Sequence, residues 1–192
     1  MFIQTEATPN PATLKFLPGK VVLEEGTADF RDAATASEAS LLAAKIFAVP
    51  GVTGVFFGYD FVTVTKAEGP EWQHLKPAIL GAIMEHFMSG APVMASATSV
   101  AATAQLEGDF FFFDTAATEI VDTIKELLET RVRPAVAQDG GDITFRGFEN
   151  GTVYLHMKGA CSGCPSSTAT LKHGIQNLLK HFVPEVQQVE AI

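Results

Sequence analysis

Apolar and polar positions fall into two periodic blocks separated by a stretch with no period. In the first block, Phe2 to Thr5 and Thr13 to Leu17 read as short strands about a Pro9-Asn10-Pro11 turn, and Pro18-Gly19 closes the second. Val21-Val22-Leu23 reads as a third strand. Ser37 is placed to cap a helix over Glu38 to Ala48, which Pro50-Gly51 stops. Val52 to Phe57 and Phe61 to Thr65 form a hairpin pattern. Leu75, Ile79, Ile83 and Phe87 then recur at four-residue spacing in a helix near Glu71 to Met88. Pro77 removes a backbone donor there and is expected to break or restart it. This block makes a small α+β domain over residues 1–88.

In the second block, Thr118 is placed to cap a helix with Ile120, Ile124, Leu127 and Leu128 on one face, ending near Arg131 to Pro134. Ile143-Phe145 and Val153-Leu155-Met157 alternate with Thr144, Arg146, Thr152, His156 and Lys158 about Asn150-Gly151, the pattern of a hairpin with one buried and one wet face. Leu171, Ile175, Leu178, Leu179 and Phe182 form one helical stripe, Pro184 ends it, and Val186 to Ala191 reads as a final strand. The order helix, strand, strand, loop, helix, strand gives a second domain over 115–192. Ser89 to Glu107 has no apolar period and carries Glu107 as its only charge, so 89–114 reads as a linker. Phe110 to Phe113 are too apolar for a free tether and are expected to dock on one of the domains, with a partner-binding patch as the other reading. The fold class is α+β: two small α/β domains joined by a flexible linker, the C-terminal one α-β-β-α-β.

Charge narrows the partners. Twenty-two acidic against 13 basic residues leave a net charge of −9, and no half is basic, which argues against nucleic acid and anionic membrane. No apolar run approaches the ~20 residues of a membrane span. Met1 leads straight into Phe2-Ile3-Gln4-Thr5 without the pattern of a signal or transit peptide. A bacterial cytoplasmic protein is expected on that ground, a mature mitochondrial matrix form being the alternative. No Ser-His-Asp order or paired-carboxylate context is evident, and His74, His86, His156, His173 and His181 read as solvated or structurally satisfied. No enzyme is expected.

The chemistry lies in Gly159-Ala160-Cys161-Ser162-Gly163-Cys164-Pro165, which holds the two cysteines of the chain. Pro165 reads as the first residue of the last helix and Cys164 as its N-cap, where free amides and the helix dipole lower a thiol pKa. Gly159 and Gly163 let the backbone fold closely around the sulfurs. Four readings follow: an iron-sulfur site shared by two chains, because a cluster takes four thiolates and one chain supplies two; a thioredoxin-like dithiol; a zinc ion bridged between two chains; or two unliganded thiols. The motif follows a hairpin near the C-terminus rather than the first strand of a βαβ unit, which weighs against the dithiol. Asp139-Gly140-Gly141-Asp142 reads as a strand-entry turn in preference to a cation site.

Over Gly159 to Thr168, preceded by Asp139-Gly140-Gly141-Asp142-Ile143, the sequence resembles the C-terminal domain of NifU and the Nfu family of iron-sulfur scaffold and carrier proteins. Thr5 to Phe16 resembles the N-terminal domain of Nfu proteins. The resemblance implies a cluster, usually 4Fe-4S, bridged between the two subunits of a homodimer by Cys161 and Cys164. It also implies receipt from upstream assembly proteins and delivery to apo-enzymes such as aconitase-like and lipoyl-synthase-like proteins.

Overall fold

The computed structural model describes residues 2–95, 112–113, 117–162 and 165–192, with the backbone alone at 112, 113, 165 and 167. The chain divides into two units, Met1–Gly108 and Asp109–Ile192. Both mix helices with a sheet, as the periodicity requires. Among the described residues no helix is long and apolar enough to cross a membrane.

In the first unit, strands β1 (Gln4–Ala7), β2 (Thr13–Leu17), β3 (Ala28–Phe30), β4 (Val52–Phe57) and β5 (Val62–Lys66) form one sheet in the order β1-β2-β5-β4-β3. All its pairings are antiparallel. Phe16, Val55, Phe57, Val62 and Val64 from the strands meet Leu42, Ile46, Leu75, Ile79 and Ile83 from the helices in its core. The expected third strand is absent. Val22 and Leu23 are buried, but both donate their N–H to the Tyr59 carbonyl, at 2.7 and 3.2 Å, in a turn.

The helix expected over Glu38 to Ala48 is two helices, α1 (Ala33–Ala39) and α2 (Leu41–Phe47). Asp32 caps the first by accepting from Thr35 N–H at 2.8 Å, while Ser37 sits mid-helix and donates to the Ala33 carbonyl at 2.7 Å. Ser40 breaks the run: its backbone is extended (φ −149°, ψ 120°) and its Oγ accepts from Ala43 N–H. The same hydroxyl donates to Val93 O at 2.6 Å, and Ala95 N–H donates to Ala39 O at 2.9 Å, so the chain is held against these helices as far as Ala95.

Helix α3 (Trp72–Ser89) runs unbroken through Pro77. Pro77 and Gln73 are both exposed, so the Gln73 carbonyl that loses its partner can turn to water. Its buried face is Leu75, Ile79, Ile83 and His86. His86 takes the core position expected of Phe87 and is fully buried, which rules out the solvated reading of this side chain.

In the second unit, α4 (Thr118–Leu127) runs into a π turn (Leu128–Val132) and α5 (Arg133–Gln138). The helical path therefore passes the expected stop at Pro134. The π turn bonds Arg133 N–H to Leu128 O, and the inserted residue admits a proline near the start of the next helix. Strands β6 (Phe112–Phe113), β7 (Gly141–Glu149), β8 (Thr152–Gly159) and β9 (Gln188–Ala191) form a sheet in that order, and α6 (Pro165–Phe182) connects β8 to β9. The backbone of Phe112 and Phe113 pairs in parallel with Gly147 and Phe148. Phe110, Phe111, residues 96–109 and 114 of the expected linker, and residues 115–116 lie outside the described residues. Asn150 (φ 50°) and Gly151 (φ 76°) make the left-handed turn between β7 and β8. Phe182, expected on the apolar stripe of α6, is 45% exposed and lies under the Arg131 guanidinium instead.

Candidate metal centre

The open end of the β7–β8 hairpin builds the site. Gly141 faces Gly159 and Asp142 faces Lys158 across the two strands. Ala160 N–H then donates to Gly140 O at 3.2 Å, which carries the pairing one step into the loop. Ser162 closes a turn by donating both its N–H and its hydroxyl to Gly159 O, at 3.1 and 3.0 Å. Thr168, on the first turns of α6, donates its hydroxyl to Cys161 O at 3.1 Å. Cys161 is thereby fixed between a strand end and a helix start.

Its sulfur is not open to solvent. Cys161 is 6% exposed and belongs to the core cluster that includes Val136, Ile143, Met157 and Ile175. Burial, together with the charges of Asp139 and Asp142, pushes its thiol up to about 12. The thiol-lowering position expected at the helix N-cap was that of Cys164, which lies, with Gly163, outside the described residues. Cys161 goes the other way, because it sits in the strand-end core beside carboxylates. A thiolate is the metal-ligating form, so a metal taken up at Cys161 would have to displace its proton.

A Cβ at Gly141 would lie 2.6 Å from Cys161 Sγ and 2.7 Å from Lys158 O. One residue on, Asp142 is buried and accepts two hydrogen bonds from Arg133, whose guanidinium also bonds Glu129. Both carboxylates, Asp142 foremost, raise the Arg133 pKa. The sequence reading did not pick out Gly141, Arg133 or Asp142 for the site. A signal was present: counting back from the Asn150-Gly151 turn sets Asp139–Asp142 against the cysteine loop to within the one residue of the bulge between Phe145 and Gly147.

The histidines stay apart from this chemistry. His156 lies on the polar face with its Nδ1 3.4 Å from Arg146, and His173 and His181 are exposed on α6. Among the described residues, no group of three or more His, Cys, Asp or Glu side chains is placed to hold a metal ion. What the site offers is a soft sulfur donor in a loop held from both sides, a donor set suited to zinc or an iron-sulfur cluster.

The family profile for the scaffold protein Nfu/NifU N-terminal domain matches residues 3–90, and the NifU-like domain matches 124–190. A Drosophila ananassae protein named NFU1 iron-sulfur cluster scaffold homolog, mitochondrial, is 50% identical over 100% of this chain and 64% of its own length. NifU-like protein 4, mitochondrial, from Arabidopsis thaliana is 53% identical over 99% of this chain and 65% of its own length. The solution structure of a NifU-like protein from Saccharomyces cerevisiae aligns with 50% of this chain and 86% of its own, at 27% identity and a TM-score of 0.45. The chain thus spans slightly less than two thirds of the curated relatives it matches. Their mitochondrial names overturn the expectation of a bacterial cytoplasmic protein. That expectation leaned on the start at Met1, which carries no such weight in a chain shorter than its relatives. With both domains matched in order, one in each unit, the chain belongs to the Nfu/NifU scaffold family.

Proposed function

We propose that this chain is a non-catalytic scaffold and carrier that holds a 4Fe-4S cluster as cargo between two copies of itself, through Cys161 and Cys164 of each, and passes it to apo-proteins. The observation that carries the reading is the Cys161 turn: a sulfur held at a strand-to-helix junction, in a chain with two cysteines against the four a cluster takes. The names of the relatives support an iron-sulfur role and a mitochondrial setting. Upstream assembly proteins supply the cluster on this reading, and recipients of the aconitase-like or lipoyl-synthase-like kind take it.

A shared site suits a carrier physically. Separating the chains removes half of the ligands at once, and incoming thiolates replace them by exchange. Anaerobic reconstitution of the wild-type protein, followed by iron, sulfide and chain counts and by sizing, tests the reading. About four irons and four sulfides per two chains, in a dimer formed only on loading, is the expected result. Tight zinc without sulfide, or disulfide reductase turnover without iron, replaces it with a zinc-bridged module or a dithiol redox protein.

A further inference from the structure

Two glycines stand side by side at the start of β7 for different reasons. Gly140 has φ 80°, a backbone conformation that favours glycine. Gly141 is not among the residues with positive φ, so its backbone would accept a side chain. Space would not. A Cβ there would meet Cys161 Sγ at 2.6 Å, Lys158 O at 2.7 Å and Cys161 N at 3.1 Å, against the ~3.5–4.0 Å of an ordinary carbon contact. Across the hairpin its partner is Gly159, which also lacks a side chain. The missing side chain of Gly141 leaves a space at the strand end, and the Cys161 sulfur occupies it.

We infer that Gly141 is a positioning residue for Cys161, its missing side chain being the seat that fixes where this sulfur stands before cargo arrives. The inference rests on reading Cys161 as a ligand. A methyl group at 141 cannot displace Lys158 O cheaply, because that carbonyl belongs to the backbone of β8. Relief at Lys158 O takes a small shift of backbone, whereas the sulfur turns on a single bond, so the sulfur is the atom that moves furthest. Cys161 then leaves its seat and gains exposure. The Gly174→Ala substitution in α6 is the control, since nothing lies within 4 Å of a Cβ there.

The test uses the full-length, cargo-free protein. Alkylation by iodoacetamide under anaerobic conditions, read residue by residue by mass spectrometry, should be at least tenfold faster at Cys161 in Gly141→Ala than in wild type or Gly174→Ala. The reconstituted variant should also carry less cluster absorbance per folded chain. A folded Gly141→Ala whose Cys161 alkylates at the wild-type rate overturns the inference. If Gly141→Ala does not fold alone, the pair Gly141→Ala with Cys161→Ala decides. With sucrose added to hold the variants folded, Gly141→Ala should cost measurably less stability in the Cys161→Ala background than with the sulfur present, the remainder coming from Lys158 O; an equal cost in both backgrounds rules out the sulfur as a group being accommodated. Alkylation and folding are read without cargo, so they stand or fall separately from the iron and sulfide counts on the wild-type protein.

Discussion

Arg133 grips Asp142 with two parallel hydrogen bonds, Nε to Oδ1 at 2.8 Å and Nη2 to Oδ2 at 2.9 Å. Its remaining nitrogen, Nη1, reaches both oxygens of Glu129 at 2.8 and 2.9 Å. One guanidinium thus joins the π turn, α5 and the first residues of β7, three elements that meet behind the Cys161 loop. Bidentate pairing of this kind fixes angle as well as distance, which lysine cannot do.

Arg133→Met should therefore cost about 2–3 kcal/mol of stability. That is less than the ~3–5 kcal/mol typical of a broken buried pair, because the Arg133 side chain remains 30% exposed while that of Asp142 is only 6% exposed. Arg133→Lys should recover part of the loss. Denaturant titration of the apo protein checks both. A cost for Arg133→Met below about 0.5 kcal/mol, the level of a surface pair, would show that the grip does not hold the strand.

Pro77 gives a prediction of opposite sign. The helix runs through it with the Gln73 carbonyl exposed and its bond absent by chemistry. Pro77→Ala restores that donor, worth up to ~3 kcal/mol in a helix interior, and gives back about 1 kcal/mol through the freer unfolded chain. A net gain of about 1–2 kcal/mol is expected. Calorimetric melting showing no gain, or a loss, would mean that the proline ring is packed to advantage.

The Pro77 helix also shows where sequence reading succeeds and where it stops. Hydrophobic period alone located β2, β4, the β7–β8 hairpin and the last helix, since alternation and the left-handed Asn150-Gly151 turn are local properties. It failed where a tertiary contact decides. Ser40 splits one expected helix in two because its hydroxyl serves both Ala43 and the distant Val93. Val22 and Leu23 are buried as their hydrophobicity demands, yet they bond a turn carbonyl rather than a strand. At the site, the CxxC spacing was plain, whereas the seat at Gly141 depends on the distance between two loops that only the folded hairpin sets.

His86 makes the first unit sensitive to acid. It is fully buried in α3, and burial first, then the charge of Lys45, lowers its pKa against a smaller opposing hydrogen bond to the Ala91 backbone. Above its ordinary value of about 6.5 the ring is neutral in both folded and unfolded chains, and pH has no effect through it. Below that value the unfolded chain binds a proton that the folded one resists, so stability falls with pH until the lowered folded value is reached, and then levels. The wild-type protein should lose stability as the pH falls below 6.5. His86→Leu, which removes the group and keeps the site apolar, should flatten that slope when melting is followed across the range. An unchanged slope would place the titrating group elsewhere.

Carrying, as opposed to storing, can be separated by trapping what is released. A cluster bridged by two chains is exposed to ligand exchange whenever the chains part, so loaded protein should lose iron to a strong chelator over minutes to hours. It should nonetheless activate an apo 4Fe-4S enzyme with the chelator present, because direct exchange between thiolates never frees the iron. Cys161→Ala and Cys164→Ala should each abolish the visible absorbance of the reconstituted protein and the transfer with it. The control is free iron and sulfide under the same chelator, which should give no activation. If activation by the loaded protein also vanishes under chelator, the cluster is falling apart in solution and being rebuilt by the recipient. If instead the cluster survives the chelator indefinitely and reaches no recipient, the two thiolates of each chain hold it too firmly for a carrier, and storage or electron transfer becomes the better account.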